Sequence, residues 1–252
     1  MKEHLKQIAK QILPASIRAS LKAQLQGIEY CPPVGAVNFG NLRRLTPISR
    51  EFGYDRGFPV DRYYIENFLA SHSDDIKGRV LEIGDSSYTK KFGGDRVIQS
   101  DIFHAVEGNL AATFVGDLTN AEQVPSDSFD CLILTQTLQF IYEVRLAIKT
   151  IYRILKPGGV VLVTIPGITS LCDTQWSNTW YWNYTTLSAR RLFEEVFPPT
   201  HLQVETYGNV LSATAFLQGL TVQELTPKEL DFRDPNYETI IAVRAVKPEA
   251  TS

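Results

Sequence analysis

Four apolar runs in this chain end on polar residues of the kind that hold small ligands. The first, VLEIGDSS, delivers Glu82, Gly84, Asp85 and Ser86; the second, RVIQSD, ends at Asp101 with Ile102 beyond it. The third closes on Gly116, Asp117 and Leu118, and the fourth, CLIL, on Thr135 and Gln136. A glycine lets backbone approach a ligand closely, and serine hydroxyls beside it donate or accept hydrogen bonds. A carboxylate such as Asp101 accepts from the hydroxyls of a ribose, unless it merely caps the next turn. Asp117 would accept from an exocyclic amine while Leu118 covers the ring. Thr135 and Gln136 are polar where the preceding residues are buried, so they need partners, and a zwitterionic ligand provides them.

These four ends lie on one edge only if the runs are neighbouring strands. Continuous Val, Ile and Leu runs, rather than alternating ones, mark strands covered on both faces, as in a parallel sheet. Strands are expected over 78–84, 96–101, 112–118, 129–136 and 160–167, followed by two more over 201–209 and 237–247. Helical spacing recurs over 61–75, 138–155 and 187–197, and a helical insertion is expected over 210–230. Between the first two strands there is room for only a short turn and a reduced helix. The expected fold is α/β, a Rossmann-like, doubly wound, mostly parallel sheet of seven strands with helices on both faces. In such sheets ligands bind outside the carboxyl ends of the strands, at the point where strand order reverses.

With 252 residues, 44% of them hydrophobic, the chain can bury one full core and a modest appendage. A net charge of −3 gives no footprint for nucleic acid. Cys31, Cys131 and Cys172 are odd in number and far apart, which fits neither a zinc site nor a disulfide framework and points to a reducing cytoplasm. No stretch approaches the length of a membrane span. Residues 1–26 stand apart as a basic amphipathic arm, with five Lys or Arg against Glu3 alone. Such an arm packs on its own domain, lies peripherally on an anionic membrane or docks on a partner. Residues 27–60, rich in Gly, Pro and Arg, read as linker and substrate-side loops.

The series VLEIGD, the acidic end of the second strand, GDL, FDCLILTQTLQFI and above all RILKPGGVVLVTIPG resembles class I S-adenosylmethionine-dependent methyltransferases, in particular the small-molecule and glycan-biosynthesis type. The motifs cover about Asp61 to Pro166, and the order of elements extends the likeness over 61–248. The resemblance implies S-adenosylmethionine as cofactor. It implies that Glu82, Gly84 and Asp85 surround its methionine moiety, that Asp101 holds its ribose and Asp117 its adenine, and that Thr135 and Gln136 line its methionine and sulfonium side; Ser86, Ile102 and Leu118 are expected beside them in the cofactor site. The chain departs from the family at G-D-S-S-Y, where G-x-G-x-G is usual, so Tyr88 must point away from the ligand. A dinucleotide is the poorer fit: G-x-G-x-x-G is absent and Asp85 would oppose a pyrophosphate.

Methyl transfer to an alcohol needs the acceptor held in line and its proton removed. His104 and Asp173 are the candidate bases, each with a surface role as the plain alternative. No His, Cys and carboxylate spacing suggests a metal. The segment 168–186 is expected to form an aromatic lid over a small hydroxylated or glycan-type acceptor, through Trp176, Trp180, Tyr181 and Trp182, with Arg190 pairing an anionic group. The same rings would otherwise cover the core. The rival from another class is a non-catalytic, methyltransferase-like binding domain that has lost the cofactor.

Overall fold

The computed structural model describes residues 15–27, 30–171 and 177–249. Two units divide the chain, Met1–Leu45 and Thr46–Ser252. In the first, the described residues form helix α1 (Ala15–Leu25) and one 3-10 turn, Gly40–Leu42. Ile17, Leu21 and Leu25 stand exposed along α1.

The second unit is built on a seven-stranded sheet of order β3-β2-β1-β4-β5-β7-β6. The strands are β1 (Gly78–Ile83), β2 (Val97–His104), β3 (Phe114–Val115), β4 (Phe129–Thr135), β5 (Leu155–Pro166), β6 (Leu202–Tyr207) and β7 (Ile240–Val246). Pairings β1–β2, β1–β4, β2–β3 and β4–β5 are parallel, and β7 runs antiparallel to both β5 and β6. The helices of this unit are α2 (Val60–Ser71), α3 (Val144–Ile154), α4 (Thr186–Glu194), α5 (Val210–Leu217) and α6 (Pro227–Asp231).

Side chains alternate across each strand, and β4 shows why its central run is apolar throughout. Leu132 and Leu134 face one core with Val144, Ile148 and Ile151 of α3; Cys131 and Ile133 face the other with Tyr64, Ile65 and Phe68 of α2. On α3, Val144, Ala147, Ile148, Ile151 and Ile154 form the single buried stripe that fixes which way the helix lies. Each large apolar side chain among these contributes about 2 kcal/mol by leaving water.

Several boundaries differ from the sequence expectation, among them the strand expected over 112–118, which is reduced to Phe114–Val115. The helix expected over 138–155 is broken: Leu138–Phe140 forms a 3-10 turn, Ile141 is extended, and α3 starts at Val144. The sheet takes in Leu155-Lys-Pro-Gly-Gly as the start of β5, with Gly158 at φ +76°. Most consequential, β2 does not end at Asp101 but continues through Ile102 and Phe103 to His104. Between β1 and β2 lie only one π turn, Thr89–Gly93, and a 3-10 turn.

Residues 46–59 pack on the insertion. The Ile48 and Ser49 amides both donate to the Gln218 carbonyl, and Val222 N donates to the Phe58 carbonyl. Asn209 fixes that insertion: its Oδ1 caps α5 by accepting from Leu211 N and Ser212 N, while its Nδ2 donates to the Glu229 and Phe232 carbonyls.

Candidate functional site

At the carboxyl ends of β1 to β4 lies a cavity of about 660 Å³. Gly84, His104, Asp117, Leu118, Thr135 and Gln136 all line it. It sits where the strand order reverses, between β1 and β4. Gly84 has φ +94°, and a Cβ placed there would meet no atom within 4 Å. The backbone therefore presents an open face to the cavity, in a conformation that an L side chain rarely adopts. Asn109 Nδ2 donates to the Gly84 carbonyl at 3.0 Å and ties the loop after β2 to this turn.

The end of β4 brings Thr135 and Gln136 to the wall of this cavity. Gln136 turns to φ +50° and its amide N–H donates to the Thr164 carbonyl on β5. Its side-chain Nε2 is buried without a partner, as is Oε1 of Gln139. The two side chains are joined to each other, with Gln139 Nε2 donating to Gln136 Oε1 at 3.4 Å. Gln139 also holds the aromatic segment: its carbonyl accepts from Tyr181 N at 2.8 Å.

A second cavity of about 470 Å³ adjoins the first, and Ile83 and Thr135 line both. Its walls carry both signs of charge, with Asp85 and Glu66 against Arg62 and Lys91. Arg62 donates to the phenol oxygens of Tyr54 and Tyr88, the latter at 3.2 Å. Burial lowers the Arg62 basicity, but Asp61 at 3.8 Å and the two phenols more than restore it. Tyr88 stacks on Phe92 and lines this cavity, so the expectation that it points away from the ligand region is corrected.

Glu82 reaches the same wall, but both its oxygens are taken. Oε2 accepts from Thr89 N and Thr89 Oγ1, each at 2.7 Å, and Oε1 accepts from Tyr88 N at 3.1 Å. Its work is to hold the G-D-S-S-Y turn. Asp85 reinforces that turn by accepting from Ser87 N and Ser87 Oγ. Ser86 is buried and lines neither cavity.

Burial raises the Glu82 carboxyl above its ordinary range, against the opposing effect of the Thr89 and Tyr88 donors. An acid whose folded value is raised binds more protons folded than unfolded. Stability from this group is therefore present below the ordinary carboxylate range and is lost as pH rises through the raised value. Thermal midpoints measured across this range should show wild type losing ground to Glu82→Gln as pH rises. A gap that widened in favour of wild type with rising pH would mean the three donors outweigh burial.

Asp101 is the clearest departure. It sits three residues before the end of β2, paired in register with Leu81, and is 2% exposed. Its carboxylate accepts from Arg79 Nε at 2.7 Å and from Gln99 Nε2 at 3.0 Å. Neither Asp101 nor Ile102 lines either of these two cavities, and the carboxyl end of β2 belongs to His104 instead. Arg79 on β1 pairs with this carboxylate, which is therefore held within the sheet rather than at its edge.

Of the expected lid, Asp173 and Trp176 lie outside the described residues, as do residues 1–14 of the arm. Tyr181 lines the first cavity beside Tyr142 and Phe140. Trp180 meets the Phe140 ring edge-on at 5.2 Å, and Trp182 stacks on Tyr142 while donating from Nε1 to the Ile141 carbonyl. Arg190, on α4, lines neither cavity. His104 lies on the β2 side, with Nδ1 at 2.7 Å from the Val106 carbonyl. Among the described residues no group of three or more His, Cys, Asp or Glu could hold a metal ion, and no helix is long and apolar enough to cross a membrane. Sequence reading missed Asn109, Arg62 as a lining residue, and Phe140 with Tyr142. Only the aromatic run LQFIY carried a signal, and helical periodicity absorbed it.

Residues 83–163, from β1 to β5, match the family model described as a methyltransferase domain. A comparison with curated proteins finds no match. Among solved structures, the chain is similar to an S-adenosylmethionine-dependent methyltransferase of Thermotoga maritima described as a possible histamine N-methyltransferase, at 20% identity and TM-score 0.49 over 79% of this chain and 98% of that one. It is similar to one from Mesorhizobium loti at 14% identity and TM-score 0.49, over 77% and 99% of the two chains. A third is phosphoethanolamine N-methyltransferase 2 of Haemonchus contortus in complex with S-adenosyl-L-methionine, at 16% identity and TM-score 0.47 over 86% of this chain and 62% of that one.

Proposed function

We propose that this chain is an S-adenosylmethionine-dependent methyltransferase acting on a small hydroxylated or glycan-type acceptor. The observation that carries the reading is the joined pair of cavities at the strand-order reversal, one largely apolar and one of mixed charge, meeting at Ile83 and Thr135. An adenosine suits the first, where Leu118 can cover a ring and Asp117 can accept from an amine. The zwitterionic end of an amino acid suits the second, where Arg62 answers a carboxylate and Asp85 an ammonium. The cofactor is S-adenosylmethionine, which when bound supplies a methyl group on a cationic sulfur.

The chain's own part is then positional. Gly84 lets the backbone approach, Glu82 and Asp85 fix the turn, and Phe140 and Ile141 wall the apolar side, which favours a displacement that needs alignment more than it needs a catalytic group. The acceptor enters on the side of Tyr142 and Tyr181, both exposed, whose faces can stack on a sugar or another ring. His104 borders the nucleoside side, which argues against it as the base.

Calorimetric titration with S-adenosylhomocysteine tests the reading, with micromolar binding as the expected result. An absence of heat at millimolar ligand would leave the non-catalytic binding domain in its place.

A further inference from the structure

The carboxyl end of β2 is where a parallel α/β sheet of this kind meets the ribose of a bound nucleoside. Among the described residues no carboxylate of β2 is there. Asp101 is committed to Arg79 and Gln99 inside the sheet, and the acidic residues lining the first cavity are Asp117 after β3 and Glu143 after β4. What β2 does present is His104. Its place is fixed by the backbone on both sides: Gly84 N donates to the Phe103 carbonyl, and Gly116 N donates to the His104 carbonyl at 3.0 Å. The residue therefore lies between the open Gly84 turn and the Gly116-Asp117 corner, both of which line the same cavity.

The ring is oriented as well as placed. Nδ1 lies 2.7 Å from the Val106 carbonyl oxygen, which can only accept, and 3.4 Å from the Val106 amide N–H; the much shorter contact assigns the proton to Nδ1. In the neutral ring that leaves Nε2 with a free lone pair. No hydrogen bond among the described residues claims it. His104 lines the cavity, and a free lone pair on its ring wants an O–H donor, of which a ribose supplies two.

We propose that His104 is the ribose ligand of this chain, its Nε2 accepting a hydrogen bond from a ribose hydroxyl in the place where Asp101 does not reach. The assignment rests on the S-adenosylmethionine reading above. It also gives the loop 105–112 a purpose, since the Val106 carbonyl sets the tautomer and Asn109 ties the same loop to Gly84.

The test is a cycle of three ligands and three proteins, read by calorimetry. S-adenosylhomocysteine and its 2′-deoxy and 3′-deoxy forms are titrated into wild type, His104→Ala and Asp101→Asn. Wild type should bind one deoxy form about tenfold more weakly than the parent, the equivalent of one net hydrogen bond. His104→Ala should bind the parent about tenfold more weakly than wild type and show no further loss with that deoxy form. Asp101→Asn should keep the wild-type ratio between the ligands, even if the fold is less stable. Because each ligand comparison is a ratio within one protein, partial unfolding does not mimic the result. A deoxy penalty that persists in His104→Ala, or that vanishes in Asp101→Asn, overturns the assignment alone. No binding of S-adenosylhomocysteine by wild type overturns the cofactor reading, and this assignment with it.

Discussion

Gly84→Val should abolish cofactor binding, with a loss of at least about 100-fold in affinity for S-adenosylhomocysteine, or about 3 kcal/mol. Two effects follow, the first on stability and the second on affinity. At φ +94° a β-branched residue is strained whatever space surrounds it, at a cost of about 1–3 kcal/mol. The added side chain would also project into open space, and that space is the cavity. Gly94 supplies the control. It too has a positive φ, +56°, and a Cβ added there would meet nothing within 4 Å, but it lines neither cavity. Gly94→Ala should lower the melting temperature a little and leave titration with S-adenosylhomocysteine unchanged. If Gly84→Val bound the ligand as wild type does, the first cavity would not be the cofactor site.

Arg79→Met should cost about 2–3 kcal/mol of stability, measured by urea unfolding. Asp101 is almost wholly buried, and removing the cation that neutralises it leaves a charge in a dry place. Arg79 is partly exposed and Gln99 would still donate, so the figure falls at or below the low end for a broken buried pair. The guanidinium also lies 4.7 Å over the Phe129 ring, a contact that methionine replaces in part. Adding Asp101→Asn should recover most of the loss, since the orphaned charge goes with it. A loss no larger than about 0.5 kcal/mol, the size of an ordinary surface substitution, would show that water reaches the pair.

The sheet was legible in the sequence because its central strands are covered on both faces. Residues 131–134 of β4 and 160–163 of β5 are apolar at every position, and no register choice could hide that. The ends were harder, because an end depends on a neighbour. Asp101 looks like a stop signal until Arg79, on the adjacent strand, supplies its counter-charge. The run LQFIYEVRLAIK has continuous helical spacing, yet the break at Ile141 arises because Phe140, Ile141 and Tyr142 turn to wall a cavity, and the Ile141 carbonyl accepts from Trp182. Sequence spacing brings Thr135, Gln136, Gly84 and Asp117 to one edge, and in the structure those four line one cavity. It could not bring in Arg62, since that contact is made across the fold by a helix whose role reads as core packing.

The strand order on the far side of the sheet constrains how this molecule can be built. β6 precedes β7 in the chain but touches the sheet only through it, because β7 lies between β5 and β6. A growing chain that has emitted β6 therefore holds a strand with no partner until the last strand arrives and is inserted between the two already made. Loss of Ile240–Val246 would strand β6 as well, so a nick or early stop there removes two strands from the sheet rather than one. The unpaired edge of β5 would then be left open to strands of other chains.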